Sequence, residues 1–180
     1  MRLSLFTVLF SLAFSSFEID KTQSRISYIG SHPFHDWKGT TSKIEVNTDC
    51  GPTSTDCDVI VSVPVISFIS GNDNRDSNML FHIDAFSYPV VRISFSNLNI
   101  PELASNSENI NFNGEIDFHG EKIIQEIPIF ATINNSTLAI TSNFHILLDS
   151  FDIDQPTLMM IPVKNQIKID VKLYGEFIKK

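Results

Sequence analysis

The stretch Phe68–Pro89, FISGNDNRDSNMLFHIDAFSYP, decides how the rest of the chain is interpreted, because it carries the one convincing helix pattern. Asn72 and Asp73 are residue types that cap a helix start, and Asp76, three residues after Asp73, adds a carboxylate to the first turn, where free N–H groups favour negative charge. Four apolar residues then recur at helical spacing: Met79, Leu80, Ile83 and Phe86. The sequence therefore predicts a short helical insertion near residues 73–84.

The segments around this insertion alternate between apolar and polar residues. Directly after it, Val91, Ile93 and Phe95 are separated by polar side chains, which is typical of a half-buried strand. Similar strand patterns occur at residues 26–28, 43–46, 59–63, 112–118, 122–131, 138–146 and 167–177. About eight antiparallel strands with short turns favour a closed barrel, since closure removes exposed edges. The predicted fold class is all-β with one helical insertion.

The first 16 residues have the composition of a cleaved secretory signal. Met1-Arg2 precedes an apolar run, Leu3–Phe14, and the small residues Ser15 and Ser16 follow. The run is shorter than the roughly 20 residues that span a bilayer. We therefore expect a single domain over residues 17–180, exported to the periplasm or secreted, and not an integral membrane protein.

Two cysteines are present, Cys50 and Cys57, and export makes a disulfide between them the default. The residues between them, GPTSTD, are turn formers. A bridge across so short a loop should stabilise the fold by roughly 2–3 kcal/mol. A redox or metal-binding pair is a weaker alternative because the C-x-x-C spacing is absent.

Charge and motifs exclude several classes of function. The net charge is −8 and the basic residues are dispersed, which argues against nucleic acid and anionic membranes as partners. We find no G-x-S-x-G nucleophile motif and no phosphate-binding glycine loop. The acidic segment 148–156 lacks the glycine and final glutamate of an EF-hand loop. The sequence thus predicts no catalytic residues, no cofactor and no bound metal.

The cluster His32–Trp37, HPFHDW, is the second dense group of functional residue types. His32 and His35 resemble a metal pair, but Pro33 favours a loop or bulge over a helix that would bring both rings to one face. The favoured interpretation is that His35 and Asp36 fix a bend while Trp37 packs at a barrel mouth.

Three other features allow both a structural and a functional interpretation. Arg75 could meet an anionic ligand, although pairing with a neighbouring carboxylate or with loop carbonyls is favoured. Met159 and Met160 could form an adaptable lid or plug one end of the barrel. The many phenylalanines at inward positions fit a solid core or a hollow one equally well.

Several motifs together resemble the YceI-like family. They are FEIDKTQSRISYIG, HDWKG, SFISGNDNRDSNMLFHIDAFSYPVVRISF, FNGEIDFHGEKIIQEIPI and KIDVKLYG. The resemblance implies an extended, lipocalin-like antiparallel barrel of eight strands. It also implies an exported protein whose relatives bind polyisoprenoids or related amphiphiles in an elongated apolar tunnel, and so it favours a hollow barrel.

The resulting prediction is a non-enzymatic carrier for a long-chain amphiphile such as a polyisoprenoid or a fatty-acyl compound. The predicted ligand contacts are Phe34, Trp37, Met79, Leu80, Ile83, Phe86, Phe112, Phe144, Met159 and Met160. The alternative is a structural or interaction module with a solid core. A metalloprotein using His32 and His35 is the third hypothesis, and a homodimer is one of the open assembly states.

Overall fold

The computed structural model describes residues 15–50, 56–105, 109–134 and 137–179. The strands are β1 (Ser15–Ile19), β2 (Arg25–His32), β3 (His35–Thr41), β4 (Glu45–Cys50), β5 (Asp56–Pro64), β6 (Val90–Asn99), β7 (Ile110–Phe118), β8 (Glu121–Asn134), β9 (Thr137–Leu147), β10 (Thr157–Leu158), β11 (Ile161–Pro162) and β12 (Gln166–Lys179). The helices are α1 (Asp73–His82) and α2 (Ile100–Ser105). Residues 1–14 of the predicted signal lie outside the described residues.

One antiparallel sheet forms most of the molecule, in the order β3-β2-β12-β9-β8-β7-β6-β5-β4. Strand β1 pairs with the end of β12 beyond β2, and β10 and β11 form a separate two-stranded ribbon. The sheet curls strongly, so its inward side chains form a common core. The predicted all-β, antiparallel, barrel-like fold with a helical insertion is therefore confirmed.

Strand β3 corrects one detail of the prediction. The His32–Trp37 cluster was expected to form a loop or bulge, but His32 ends β2 and His35–Thr41 pairs in regular register with β2. Pro33 and Phe34 form the connecting turn, where the missing proline N–H removes no ladder bond. The sheet consequently has nine positions instead of about eight.

The curled sheet is closed beside β3 by the chain that follows β5. In the described part of the chain, no ladder joins the edge strands β3 and β4. Instead, Thr40 and Ile69 exchange two backbone hydrogen bonds of 3.0 Å, and the hydroxyls of Thr41 and Ser67 lie 2.8 Å apart. These bonds fix the start of the helical insertion against the hairpin β2–β3.

Helix α1 ends two residues before the predicted boundary. Its cap is Asn72, whose side-chain oxygen accepts a 3.0 Å hydrogen bond from the Arg75 N–H, as expected for this residue type. Both oxygens of Asp76 accept from the Ser70 N–H at 3.1 Å. None of the residues of α1 is fully buried, so the helix lies on the end of the sheet and does not enter the core.

The end of the sheet opposite to α1 carries helix α2 and the disulfide. Leu103 of α2 is 2% exposed and packs into the core. Cys50 and Cys57 face each other in the β4–β5 ladder and are bonded, as predicted. The intervening turn, residues 51–55, lies outside the described residues.

Candidate functional site

A cavity of about 460 Å³ opens at the end of the sheet that carries α1. Its walls come from the inward faces of β2, β3, β6, β7, β9 and β12, and α1 lies along its mouth. The segment 148–165, named here the cover segment, contributes the remaining wall. The apolar lining includes Val65, Phe68, Met79, Ile83, Val91, Phe118, Ile146, Leu148, Ile153, Val163, Ile167 and Ile169.

Two aromatic rings on the β2–β3 hairpin form one wall because glycine faces each of them. Tyr28 is paired with Gly39, and Trp37 with Gly30. A Cβ at either glycine would overlap the opposing ring. The rings therefore lie directly over the backbone of the neighbouring strand, which is how aromatic side chains cover glycines in sheets. Tyr28 is also held edge-on by Phe68, with the ring centres 5.5 Å apart.

A second cavity of about 80 Å³ lies deeper in the same interior. Strands β6, β9 and β12 each contribute adjacent inward positions to the two cavities. These pairs are Val91 and Ile93, Ile146 and Phe144, and Ile169 and Val171. The cavities thus lie end to end along one apolar column, which extends roughly 20 Å from Ile167 to Leu173 at the usual strand rise.

The Tyr28 hydroxyl is a buried polar group in the wall of the upper cavity. No hydrogen-bond partner is found for it among the described residues. Burial, and to a smaller extent the charge of Asp76, raises the pKa of Tyr28. The positive charge of Arg75 and the neighbouring Trp37 side chain lower the same pKa. The Tyr28 residue therefore lines the cavity, while its hydroxyl is buried in the cavity wall.

Polar side chains of α1 surround the mouth. Asn74, Arg75, Asn78 and His82 all border the cavity. The interpretation favoured from the sequence was that Arg75 pairs with a carboxylate or with loop carbonyls. In the part of the chain that the structure describes, its guanidinium makes neither an ion pair nor a hydrogen bond, so that interpretation is wrong.

The histidines near the cavity hold the cover segment in place. His32 is 4% exposed, and its Nε2 lies 3.2 Å from the carbonyl oxygen of Ile161. His119 contacts the carbonyl of Phe151 through Nδ1 at 2.8 Å, and Lys164 donates its backbone N–H to Ser31. The rings of His32 and His35 are 6.3 Å apart, and no cluster of three metal-ligating side chains occurs in the described ranges.

The predicted contact residues fall into three groups. Trp37, Met79 and Ile83 line the upper cavity, and Phe144 lines the lower one. Leu80 and Phe112 are partly buried and pack against the core, but they line neither cavity.

The other four predicted contacts point to solvent, and the structure corrects them. Phe34 and Phe86 lie in turns, and Phe86 is 97% exposed. Met159 and Met160 form the turn between β10 and β11, both with positive φ, and Met160 is 96% exposed. A two-residue turn projects its side chains away from the ribbon that it connects. The expected methionine lid or plug is therefore not formed by these side chains.

Sequence reasoning missed Tyr28, Phe68 and Phe118 as lining residues. The alternation of apolar residues along β2 and β7 could have identified Tyr28 and Phe118. Phe68 lies in the connection before α1, where no period applies. Among the described residues, no helix has the length and apolarity needed to cross a membrane.

Comparisons with known proteins agree with this geometry. The sequence matches the family profile described as YceI-like domain over residues 17–174. No curated protein matches the sequence. Solved structures of similar fold include three with sequence identities of 17%, 10% and 13% to this chain.

The structure of Burkholderia cenocepacia BcnA is similar with a TM-score of 0.72 and 17% identity, covering 87% of this chain and 99% of BcnA. A polyisoprenoid binding domain from Saccharophagus degradans is similar with a TM-score of 0.66 and 10% identity, covering 92% of this chain and 99% of that domain. The Campylobacter jejuni YceI protein has a TM-score of 0.65 and 13% identity, covering 100% of this chain and 99% of that protein.

Proposed function

Since the chain belongs to the YceI-like domain family, we propose that it carries or sequesters a long-chain amphiphile, such as a polyisoprenoid or a fatty-acyl compound. The chain of the ligand lies in the apolar column inside the curled sheet. The protein acts by binding and not by catalysis.

The upper cavity is the observation that carries this proposal. Its volume of about 460 Å³ falls within the range of small-molecule sites, and its lining is mostly apolar. The lower cavity extends the same column, so an elongated ligand fits better than a compact one. Burying a chain here contributes roughly 0.8 kcal/mol per methylene. Selectivity should therefore follow chain length and shape.

Two further observations support the ligand class and the location. A protein of the same fold from Saccharophagus degradans is a polyisoprenoid binding domain. The bonded pair Cys50 and Cys57 is consistent with an oxidising compartment, and we propose a periplasmic or secreted protein with a cleaved signal.

Native mass spectrometry with lipid extraction tests the proposal on the purified protein. We expect one lipid-like molecule per chain, or stoichiometric uptake of added geranylgeraniol. Met79→Trp should reduce loading because Met79 lines the cavity. Phe81→Trp is the matched control on the same helix, since Phe81 is 82% exposed and lines neither cavity.

A solid-core interaction module makes the opposite prediction. In that case the purified protein contains no lipid and takes up no geranylgeraniol. Lipid loading is then equally absent from the Met79→Trp and Phe81→Trp variants. That result would refute the carrier function.

A further inference from the structure

Two consecutive methionines occupy a turn whose backbone disfavours them. Met159 and Met160 connect β10 to β11 in a two-residue turn, with φ angles of 53° and 64°. A positive φ at both positions is typical of turns with the sequence Asn-Gly, because a Cβ makes this conformation unfavourable for most residues. The methionine side chains are 75% and 96% exposed, so packing within the protein does not offset this disadvantage. A contact outside the chain would explain why they stand there.

The β10–β11 ribbon that carries the methionines is fixed to the rest of the protein. The backbone N–H of Val163 donates to the carbonyl of Pro156 at 2.9 Å. The ring of His32 connects the ribbon to the β2–β3 turn, since its Nε2 lies 3.2 Å from the carbonyl oxygen of Ile161 and its centre lies 5.1 Å from that of the Phe34 ring. The two methionines and the exposed Phe34 therefore project from neighbouring turns.

Exposed apolar side chains are concentrated at this end of the sheet. Among the described residues, twelve large apolar side chains are exposed, and eight of them lie in the short segments around the mouth of the upper cavity. These segments are the β2–β3 turn, the connection from β5 to α1, α1 with the turn that follows it, and the β10–β11 ribbon. The other four lie on strands β5, β8 and β9. Five of the eight are named here the apolar rim: Phe34, Phe86, Leu158, Met159 and Met160.

The apolar rim is continuous with the lining of the upper cavity. Leu158 is 43% exposed and also lines the cavity, and the methionines follow it directly. The turn that carries Phe86 is joined to the cover segment, because the rings of Tyr88 and His119 lie 4.6 Å apart and His119 contacts the carbonyl of Phe151. An apolar chain could therefore pass from the surface into the cavity along apolar side chains. Contiguous exposed apolar surface of this kind is typical of protein or membrane contacts.

The charges favour a neutral lipid surface over an anionic one. The protein carries a net charge of −8, so anionic lipids repel it as a whole. Asp36 and Asp84 each lie within two residues of a rim phenylalanine, Phe34 and Phe86. Attraction to a bilayer must therefore come from insertion of the apolar side chains. A second copy of the chain seated on the rim would instead cover the cavity mouth.

We propose that the apolar rim inserts into the surface of a neutral lipid bilayer and holds the mouth of the upper cavity against it. The contact rests on the proposed carrier function, because a lipid-like ligand is what the cavity would exchange with the bilayer. The rim side chains enter the boundary between headgroups and acyl chains, while the sheet remains outside. Methionine suits this role, since its flexible thioether packs against irregular apolar surroundings.

Co-sedimentation with vesicles of dioleoylphosphatidylcholine tests the contact. The double variant Met159→Asn/Met160→Gly removes both side chains and supplies the residues that the turn prefers, so its urea unfolding midpoint should be unchanged or higher. Vesicle binding should nevertheless weaken about tenfold, because two partly buried apolar side chains are lost. Ile133→Thr is the control: Ile133 is 51% exposed near the far end of β8, and its replacement should change binding by about twofold or less.

Several outcomes would overturn the membrane contact. They are no binding of the unmodified protein to these vesicles, binding that requires added phosphatidylglycerol, and equal binding of the double variant and the Ile133→Thr control. A dimer that the double variant dissociates, without vesicle binding, would assign the rim to a second copy of the chain.

Uptake of geranylgeraniol from solution separates this contact from the carrier function. If the unmodified protein takes up geranylgeraniol but does not bind vesicles, the membrane contact is refuted and the carrier function stands. If it binds vesicles through the rim but takes up no geranylgeraniol, the membrane contact stands and the carrier function is refuted.

Discussion

Gly39 and Gly30 allow the aromatic wall of the upper cavity to exist. Each removes a Cβ where the ring of Tyr28 or Trp37 lies against the neighbouring strand. In most strands a glycine weakens the sheet, since it packs no side chain. Here the ring of the paired residue covers that gap, so glycine and aromatic residue act as a unit.

Gly39→Ala tests this pairing. The added methyl group would overlap the Tyr28 ring, and we expect the free energy of unfolding to fall by about 1–3 kcal/mol. In a Tyr28→Ala background the overlap disappears, so the same substitution should be neutral or stabilising. Urea unfolding of the four proteins measures the coupling. An equal cost in both backgrounds would show that the two residues are independent.

Asp20 gives the fold an acid sensitivity. Hydrogen bonds from the Thr22 hydroxyl, the Gln23 side chain and the Thr22 N–H lower the pKa of Asp20 from 3.8 to about 2. The charged form is therefore favoured in the folded state, and its contribution to stability is complete above about pH 4 and lost as the pH falls toward 2.

Asp20→Asn should remove this dependence. We expect the unmodified protein to be more stable at neutral pH, with the difference from the variant shrinking between pH 4 and pH 2. Thermal unfolding across that range measures it, and other carboxylates contribute equally to both proteins. A stability difference that does not change with pH would contradict the assignment.

Single residues show the limit of the sequence patterns. Met79 and Ile83 could be placed at the cavity because helical spacing puts them on one face. Met159 and Phe86 could not, because an apolar residue in a turn looks the same in sequence whether it faces inward or outward. Their positions depend on backbone conformation, such as the positive φ of Met159, which periodicity does not report.

At the level of elements, the bond between Cys50 and Cys57 should stabilise the fold without itself contributing to binding. The bridge closes a loop with a sequence separation of 7, so its reduction should lower the free energy of unfolding by about 2–3 kcal/mol. Val59 and Val61 of the same hairpin line the lower cavity, but neither cysteine lines either cavity.

Urea unfolding and stearate binding of the oxidised and reduced protein check this separation of roles. We expect a lower unfolding midpoint after reduction and an unchanged dissociation constant. A loss of binding that parallels the loss of stability would mean that the hairpin shapes the cavity.

Elements with a regular period were predictable and irregular ones were not. The period of two identified β6, β7, β9 and β12 to within a few residues, and the capping residues located the start of α1. Strand β3 was missed because His35–Gly39 carries no apolar alternation. The cover segment depends on contacts distant in sequence, such as that of His32 with Ile161.

At the scale of the whole molecule, the curled sheet is larger than its side chains can fill. Glycines replace side chains on β2 and β3, and α1 covers the end without burying any residue completely. The cover segment is tied to β2 and to the β7–β8 turn, so the cavity has a fixed wall on that side. A stable fold with an unfilled apolar interior is the physical basis of the proposed function.

Fluorescence of Trp37 reports directly on whether an apolar chain lies inside the sheet, because Trp37 is the single tryptophan and lines the upper cavity. We predict that a brominated fatty acid quenches it saturably at one molecule per chain. In the double variant Trp37→Phe/Phe81→Trp the tryptophan stands on the exposed side of α1, and quenching should not saturate. Equal quenching of both proteins, or none in the unmodified protein, would contradict binding inside the sheet.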